Sequence, residues 1–265
     1  ERNKFMKKTL IALAVAASAV VSGSAMAWTA GGNGGDLVLG GTLSPVPDKN
    51  NPWEVELGSA SMNQTLNASF EKGASVVDIL VKDSVPVLGI RTSVKAPFTG
   101  AANITPRIEY GAAVDLSAFA DDTTTLTLEV KNNAGQKIGK MVAPFSVGAE
   151  ASSKSDTQAT KNSLIAVKEG DAFFGGLPSN ADMVTNGWAI AAAISDEYVA
   201  NYDSQGGTVV PTGAQSFGDN ALSYSGFYGA GILGGKTVKL TFDQPLQSSA
   251  PIEWRASLPI TVSYN

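Results

Sequence analysis

Leu258-Pro259-Ile260-Thr261-Val262-Ser263-Tyr264-Asn265, the last eight residues of the chain, alternate apolar and polar side chains. In extended geometry successive side chains point to opposite faces, so Leu258, Ile260, Val262 and Tyr264 share one apolar face. No further strand follows to cover that edge, and an open apolar edge invites aggregation unless something pairs with it. A second segment answers it. After a glycine-rich tether (Gly31, Gly32, Gly34, Gly35) comes Asp36-Leu37-Val38-Leu39-Gly40-Gly41-Thr42-Leu43, in which Leu37, Leu39, Gly41 and Leu43 line one side. This strand has no obvious local partner. Inserting it beside the last strand of another molecule solves both problems and repeats without closing. Burial of Leu37, Leu39 and Leu43 contributes roughly 1.5–3 kcal/mol each before ordering costs. Gly41 permits close approach where the groove is filled by a bulky side chain.

Between these ends, short alternating segments rich in Val, Ile, Thr and aromatic residues are punctuated by Gly, Pro, Asn and Asp. Strands are predicted at 53–57, 65–70, 75–81, 85–92, 106–110, 124–131, 137–147, 223–233, 237–242 and 254–264. Lys131-Asn132-Asn133-Ala134-Gly135-Gln136 reads as a hairpin link, and the spacing predicts an antiparallel β-sandwich. Residues 149–221 depart from the pattern, turning small and polar at Ala151-Ser152-Ser153-Lys154-Ser155-Asp156. Within them Trp188, Ala191, Ala192, Ser195, Tyr198 and Tyr202 fall at helical spacing, so an insertion carrying one short helix is predicted. Such long excursions between strands are often functional, although a variable surface loop without a ligand weighs equally.

Met6-Lys7-Lys8, the apolar run 10–21 and Ala25-Met26-Ala27 together read as a secretory signal peptide, too short for a membrane anchor. Cleavage there leaves a chain of 238 residues, from Trp28 to Asn265, without a membrane span. Residues 1–27, the signal peptide with Glu1–Phe5 upstream of it, hold four basic and one acidic residue, so the net charge of −5 becomes −8 on cleavage. That balance argues against nucleic acid and anionic membranes as partners. The chain contains no cysteine and no histidine, so packing and strand pairing alone must hold the fold. The same absences exclude a Ser-His-Asp triad, imidazole or thiolate metal ligands and a cysteine nucleophile, and no cofactor is implied.

Three motifs tempt a catalytic reading. Ala230-Gly231-Ile232-Leu233-Gly234-Gly235-Lys236-Thr237 approximates a phosphate loop, but alternating residues follow where a helix is required, and Gly234-Gly235-Lys236 reads as a hairpin turn. Ser69 and Lys72 match a Ser-x-x-Lys pair, yet on a strand they point to opposite faces. Asp121-Asp122 and Asp196-Glu197 read as solvated charge, because glycosidase chemistry needs two carboxyls converging across a cleft. Asn63 and Asn103 fit the glycosylation acceptor pattern, which is common by chance.

The leader with Trp28-Thr29 behind it, the Leu-x-Leu-x-Gly-x-Leu of residues 37–43, Phe173-Phe174-Gly175-Gly176-Leu177-Pro178 and the ending Ile260-Thr261-Val262-Ser263-Tyr264 occur together. In this combination the chain resembles the kappa-class chaperone–usher fimbrial subunits, the F-four-type adhesive pilins. The resemblance implies an all-β, incomplete immunoglobulin-like β-sandwich lacking its last strand and completed by donor-strand exchange. It implies residues 28–43 as the donor extension and 44–265 as the pilin domain. A periplasmic chaperone, an outer-membrane usher and identical neighbouring subunits are the implied partners. A host glycoprotein or glycolipid receptor is implied for the inserted region. Sugar sites commonly stack a ring on an aromatic face, making Trp188, Tyr198, Tyr202 and Phe217 candidates, each also explicable as core packing. A minor or tip adhesin of the same fimbria and a secreted hydrolase are the competing readings.

Overall fold

A computed structural model describes residues 51–58 and 66–265, which belong to a unit spanning Pro47–Asn265. The leader, the segment 36–43 and Asn63 lie outside the described residues. Mostly β structure is present: β1 (Trp53–Leu57), β2 (Val76–Leu80), β3 (Val85–Thr92), β4 (Phe98–Thr99), β5 (Pro106–Glu109), β6 (Thr123–Lys131), β7 (Lys137–Lys154) and β8 (Ala159–Ser163). After the helix α1 (Gly187–Ile194) come β9 (Thr208–Val209), β10 (Ser223–Ile232), β11 (Thr237–Phe242), β12 (Arg255–Ala256) and β13 (Thr261–Tyr264). The sheets are open and carry one inserted helix, consistent with an open immunoglobulin-like fold.

β7 organises the sheets. Along one edge it pairs first with β11 and then with β10; along the other, first with β6 and then with β8. Its first half, where one face meets solvent, alternates between buried residues and exposed or half-buried ones. From Phe145 to Ser152 every residue is buried, because a second layer covers the outer face there. The small, polar residues expected to open an insertion, Ala151 to Lys154, are therefore strand, and β8 hydrogen-bonds beside them. Small side chains are what a strand covered on both faces can accommodate at close range.

Other predicted elements differ in the structure. Gly234-Gly235-Lys236 is a turn but not a hairpin: β10 and β11 both run antiparallel to β7, one after the other. β2 and β3 follow each other in the same way on the neighbouring path. The two breaks lie opposite each other, with Gly235 N donating to Val81 O at 2.7 Å and Val81 N to Lys236 O at 2.9 Å. Glycines there let both paths jog together, which local turn chemistry cannot distinguish from chain reversal. Residues 66–70 are not a strand; Leu66 is buried and Phe70 half-buried without sheet pairing. Alternation alone does not supply a neighbouring edge. The β6–β7 link is a hairpin, closed by Asn132 N donating to Gln136 O at 2.9 Å.

Aromatic residues close one end of the core. Trp53 contacts Phe98, Phe173 and Phe217 at ring-centroid distances of 5.2, 5.8 and 4.9 Å, and its Nε1 donates to Ile104 O at 2.6 Å. Phe173, from Phe-Phe-Gly-Gly-Leu-Pro, stacks on Tyr228 at 5.5 Å. The same motif borders β5: Phe173 N donates to Pro106 O at 2.7 Å, and Ile108 N to Phe174 O at 2.9 Å.

The helix-bearing excursion lies on bare backbone. Gly89, Gly229 and Gly148 are register partners across β3, β10 and β7, forming a glycine row over three adjacent strands. Tyr198 covers Gly89 and Gly229, while α1 reaches Gly148 through Gly187 and Ala191. A Cβ on Gly229 would lie 2.7 Å from the Tyr198 ring, closer than real Cβ atoms come. Asp122, at the start of β6, holds the near end of this segment. Its Oδ2 accepts from Thr185 N at 2.8 Å, from the Thr185 hydroxyl and from Asn186 N at 3.3 Å. Asn186 then caps α1, its side chain accepting from Ala189 N at 2.9 Å. Asp122 is thus 1% exposed and is not the solvated charge its sequence setting implied.

Candidate functional site

The segment expected as one strand at 254–264 is strand only at Arg255–Ala256 and Thr261–Tyr264, and the core only half accepts it. From Pro251 to Asn265 burial alternates without a break, with Ile252, Trp254, Ala256, Leu258, Ile260, Val262 and Tyr264 each half-buried and every intervening residue exposed. This segment pairs with β6 through Arg255 and Ala256, with β5 through Thr261–Tyr264, and with Thr105 through Asn265.

Beside it runs an apolar groove of about 810 Å³. Ile252, Trp254, Ala256, Leu258 and Ile260 line one side. Val77 and Ile79 from β2, Leu126 and Leu128 from β6, and Leu240 from β11 also line it. Leu57 lines it as well: it is the register partner of fully buried Leu88 and shares its face, yet is 58% exposed. The core layer therefore stops at β1 with an inward-facing leucine uncovered among the described residues. Polar groups sit near the rim, where Asn133 Nδ2 donates to Glu253 Oε2 at 2.6 Å.

The groove's size decides what it can be. At about 24 cal/mol per Å³, a dry, sealed void of this volume would cost on the order of 20 kcal/mol. That exceeds the entire stability of an ordinary domain, about 5–15 kcal/mol. The space must be wetted, at the expense of its apolar lining, or filled by apolar side chains from elsewhere.

The family described as fimbrial, major and minor subunit is matched over residues 6–265. This chain belongs to that fimbrial subunit family. The family is structural rather than catalytic. The chain is 29% identical over 289 residues to the K88 fimbrial protein AD of Escherichia coli, covering 98% of this chain and 100% of that one. It is 30% identical over 287 residues to the K88 fimbrial protein AC of Escherichia coli, with the same coverage. To the F41 fimbrial protein of Escherichia coli it is 28% identical over 285 residues, covering 98% of this chain and 100% of that one.

In this fimbrial subunit the expected C-terminal residues separate into two groups. Leu258 and Ile260 line the groove, whereas Val262 and Tyr264 lie in β13 against β5 and pack on the core. Burial holds the Tyr264 phenol above its ordinary pKa. Ile252, Trp254, Ala256 and Leu57 also line the groove and were not anticipated as site residues. For the first three the signal was present, because the alternation of 258–264 continues backwards through them. Leu57 carries no such signal, since its exposure depends on what stops at β1.

The aromatic candidates of the excursion lie on both faces of β10. Tyr198 and Tyr202 contact Gly229 and Phe227, which share one face; Phe217 contacts Tyr224 and Gly226 on the other. Phe217 is fully buried, and Tyr198 is 2% exposed over the glycine row. Both pack the fold and present no surface for a sugar to stack on. Tyr202 is half-buried against Phe227, at a ring-centroid distance of 5.1 Å. Trp188, on α1, is 46% exposed. Nearby Asp196 and Glu197 form no catalytic pair: the Glu197 carboxylate meets Arg91 at 2.9 Å, and Arg91 also holds Glu54 at 2.6 Å. Ser69 and Lys72 lie exposed outside any strand, and Gly234-Gly235 leads into β11 rather than a helix. Among the described residues no group of His, Cys, Asp or Glu could hold a metal ion, and no helix is long and apolar enough to cross a membrane.

Proposed function

We propose that this protein is a structural subunit of a surface fimbria, exported through the periplasm and polymerised by donor-strand exchange through a chaperone–usher pathway. The observation that carries the reading is the 810 Å³ apolar groove beside a last strand whose inner face is only half-buried. Residues 37–43 supply the alternating apolar face that such a groove requires. A periplasmic chaperone covers the groove before assembly, and the usher exchanges it for the 28–43 extension of the next copy. The domain then runs from 44 to 265 with its excursion at about 149–221. Deleting residues 28–43 leaves a folded, chaperone-bound subunit that forms no fibres in a reconstituted usher assembly. Normal fibres from that deletion would overturn the reading.

Adhesion to host glycoconjugates is the companion proposal, supported by Trp188 standing exposed on α1. An aromatic face open to solvent is suited to stack on a sugar ring. A donor-strand-complemented monomer applied to a glycan array binds host-type glycans, and Trp188→Ala removes that binding without unfolding the monomer. Absence of binding by the parent monomer would end the adhesive reading and leave the structural one standing.

A further inference from the structure

We infer that consecutive subunits also meet through charge: a basic row at one end of the domain, Arg255, Lys131 and Lys137, receives the acidic end of the next copy at Glu56 and Asp196. The contact lies outside the groove and is made by the folded bodies of the two subunits. It rests on the donor-strand reading, and its partner is a second copy of this chain.

Arg255, Lys131 and Lys137 are register partners across three adjacent strands, β12, β6 and β7, and all three are exposed. Like charges directly opposed in a sheet are destabilising. Among the described residues none of the three meets a carboxylate within salt-bridge distance. Of the neighbouring acids, Glu253 accepts from Asn133 Nδ2 at 2.6 Å, and Glu129 lies opposite Lys140. Arg255 and Lys131 flank a recess of about 500 Å³, and Arg255 also borders the apolar groove. The row therefore continues the surface that an incoming copy must approach.

The opposite charge gathers elsewhere. Glu54 is the register partner of Arg91, and Glu56 of Gly89. The turn Asp196–Val199 supplies Glu197, which shares the Arg91 guanidinium with Glu54. β1 and this turn together carry Glu54, Glu56, Asp196 and Glu197 against that one guanidinium. Among the described residues Glu56 and Asp196 have no cation within salt-bridge distance.

These clusters stand at opposite ends of the sheet. Lys137 begins β7, whereas Arg91 is level with Phe227 of β10 and Phe227 with Glu150 of β7. The strand from Lys137 to Glu150 is about 40 Å long at about 3.3 Å per residue. The groove lies in the basic half, where Met141, Leu128 and Leu240 line it. β1 begins at the acidic end, and residues 44–52 separate it from 37–43, a reach of no more than about 30 Å. A copy whose 37–43 segment fills the groove thus has its acidic end nearer to the acceptor than its basic end. The pairing is head to tail, and contacts of that kind repeat into open filaments.

Carbodiimide treatment of purified fibres joins an amine directly to a carboxylate and tests the contact. Peptide mapping finds Lys131 or Lys137 joined to Glu56 or Asp196, and because these groups stand about 40 Å apart within one chain, the link is between subunits. Fibre growth in a reconstituted usher assembly slows about tenfold between about 10 mM and 150 mM salt, as steered association does. Lys131→Glu with Arg255→Glu slows growth as much at the lower salt concentration and leaves the melting temperature of a donor-strand-complemented monomer unchanged. Adding Glu56→Lys and Asp196→Lys restores the rate. Cross-links from Lys131 and Lys137 to other carboxylates alone overturn the assignment, as do growth indifferent to salt and a charge reversal that the second pair fails to rescue. Normal fibres after deletion of 28–43 defeat the underlying reading instead.

Discussion

Asp122 and Thr185, 63 residues apart in sequence, are joined twice: the Asp122 carboxylate accepts from both the backbone N–H and the hydroxyl of Thr185. A carboxylate on the turn into β6 thereby fixes where the chain enters α1. Replacing Asp122 with Ala removes the acceptor of both donors and puts Ala at φ +61°. The expected loss is about 1.5–3 kcal/mol, from the charge-assisted hydrogen bonds. Asp122→Asn, which tolerates that backbone and keeps an acceptor, loses about half as much. Urea denaturation of a donor-strand-complemented monomer measures both. Equal midpoints for Asp122→Ala and the parent would remove Asp122 as an anchor.

The glycine row makes a steric prediction. Gly89→Ala pushes a methyl group into the Tyr198 ring and destabilises the monomer by about 1–3 kcal/mol or more, as overpacking does. In a Tyr198→Ala background the same substitution costs much less, because the ring it strikes is gone. A double-mutant cycle by thermal denaturation tests this. A penalty unchanged between backgrounds would place its cause in the strand itself.

Filling the groove should stabilise the domain. A subunit lacking 28–43 but carrying residues 36–43 fused by a flexible linker after Asn265 has a higher melting temperature than the same subunit without the fusion. Three leucines contribute roughly 1.5–3 kcal/mol each before ordering costs. Leu39→Asp in the fused segment abolishes most of the gain, since an unpaired carboxylate cannot follow leucine into an apolar groove. If fused and unfused forms melt together, the segment does not occupy the groove.

Alkaline pH should unfold the domain cooperatively. Burial raises the phenol pKa of Tyr110, Tyr198, Tyr202 and Tyr228 above the ordinary value. The folded state therefore keeps these protons after the unfolded chain has begun to lose them. Stability is intact below about pH 10, the unfolded phenol value, and falls as pH rises beyond it. Tyrosinate absorbance and circular dichroism then change together in one step above that point. Titration of these four phenols near pH 10 with the fold intact would contradict their burial.

Local patterning carried much of this fold. β1, β3 and β11 match the strands expected at 53–57, 85–92 and 237–242, and the β6–β7 hairpin falls at its Asn-Asn-Ala-Gly link. Period-two alternation and turn chemistry are properties of neighbouring residues, so a single chain displays them. The apolar face of Leu258 and Ile260 was legible for the same reason. Tertiary structure alone decided the rest. Only pairing across 81–84 and 233–236 shows that a glycine turn continues a strand path, because a jog and a reversal use the same residues. Only the packing of α1 and Tyr198 explains Gly89, Gly148 and Gly229, whose meaning lies in what rests on them. Asp122 reads as solvated charge until contacts distant in sequence bury it, and only such contacts decide that Phe217 packs the core. That the core stops at Leu57, leaving a groove along the last strand, depends on which faces meet in space, and residue order does not record that.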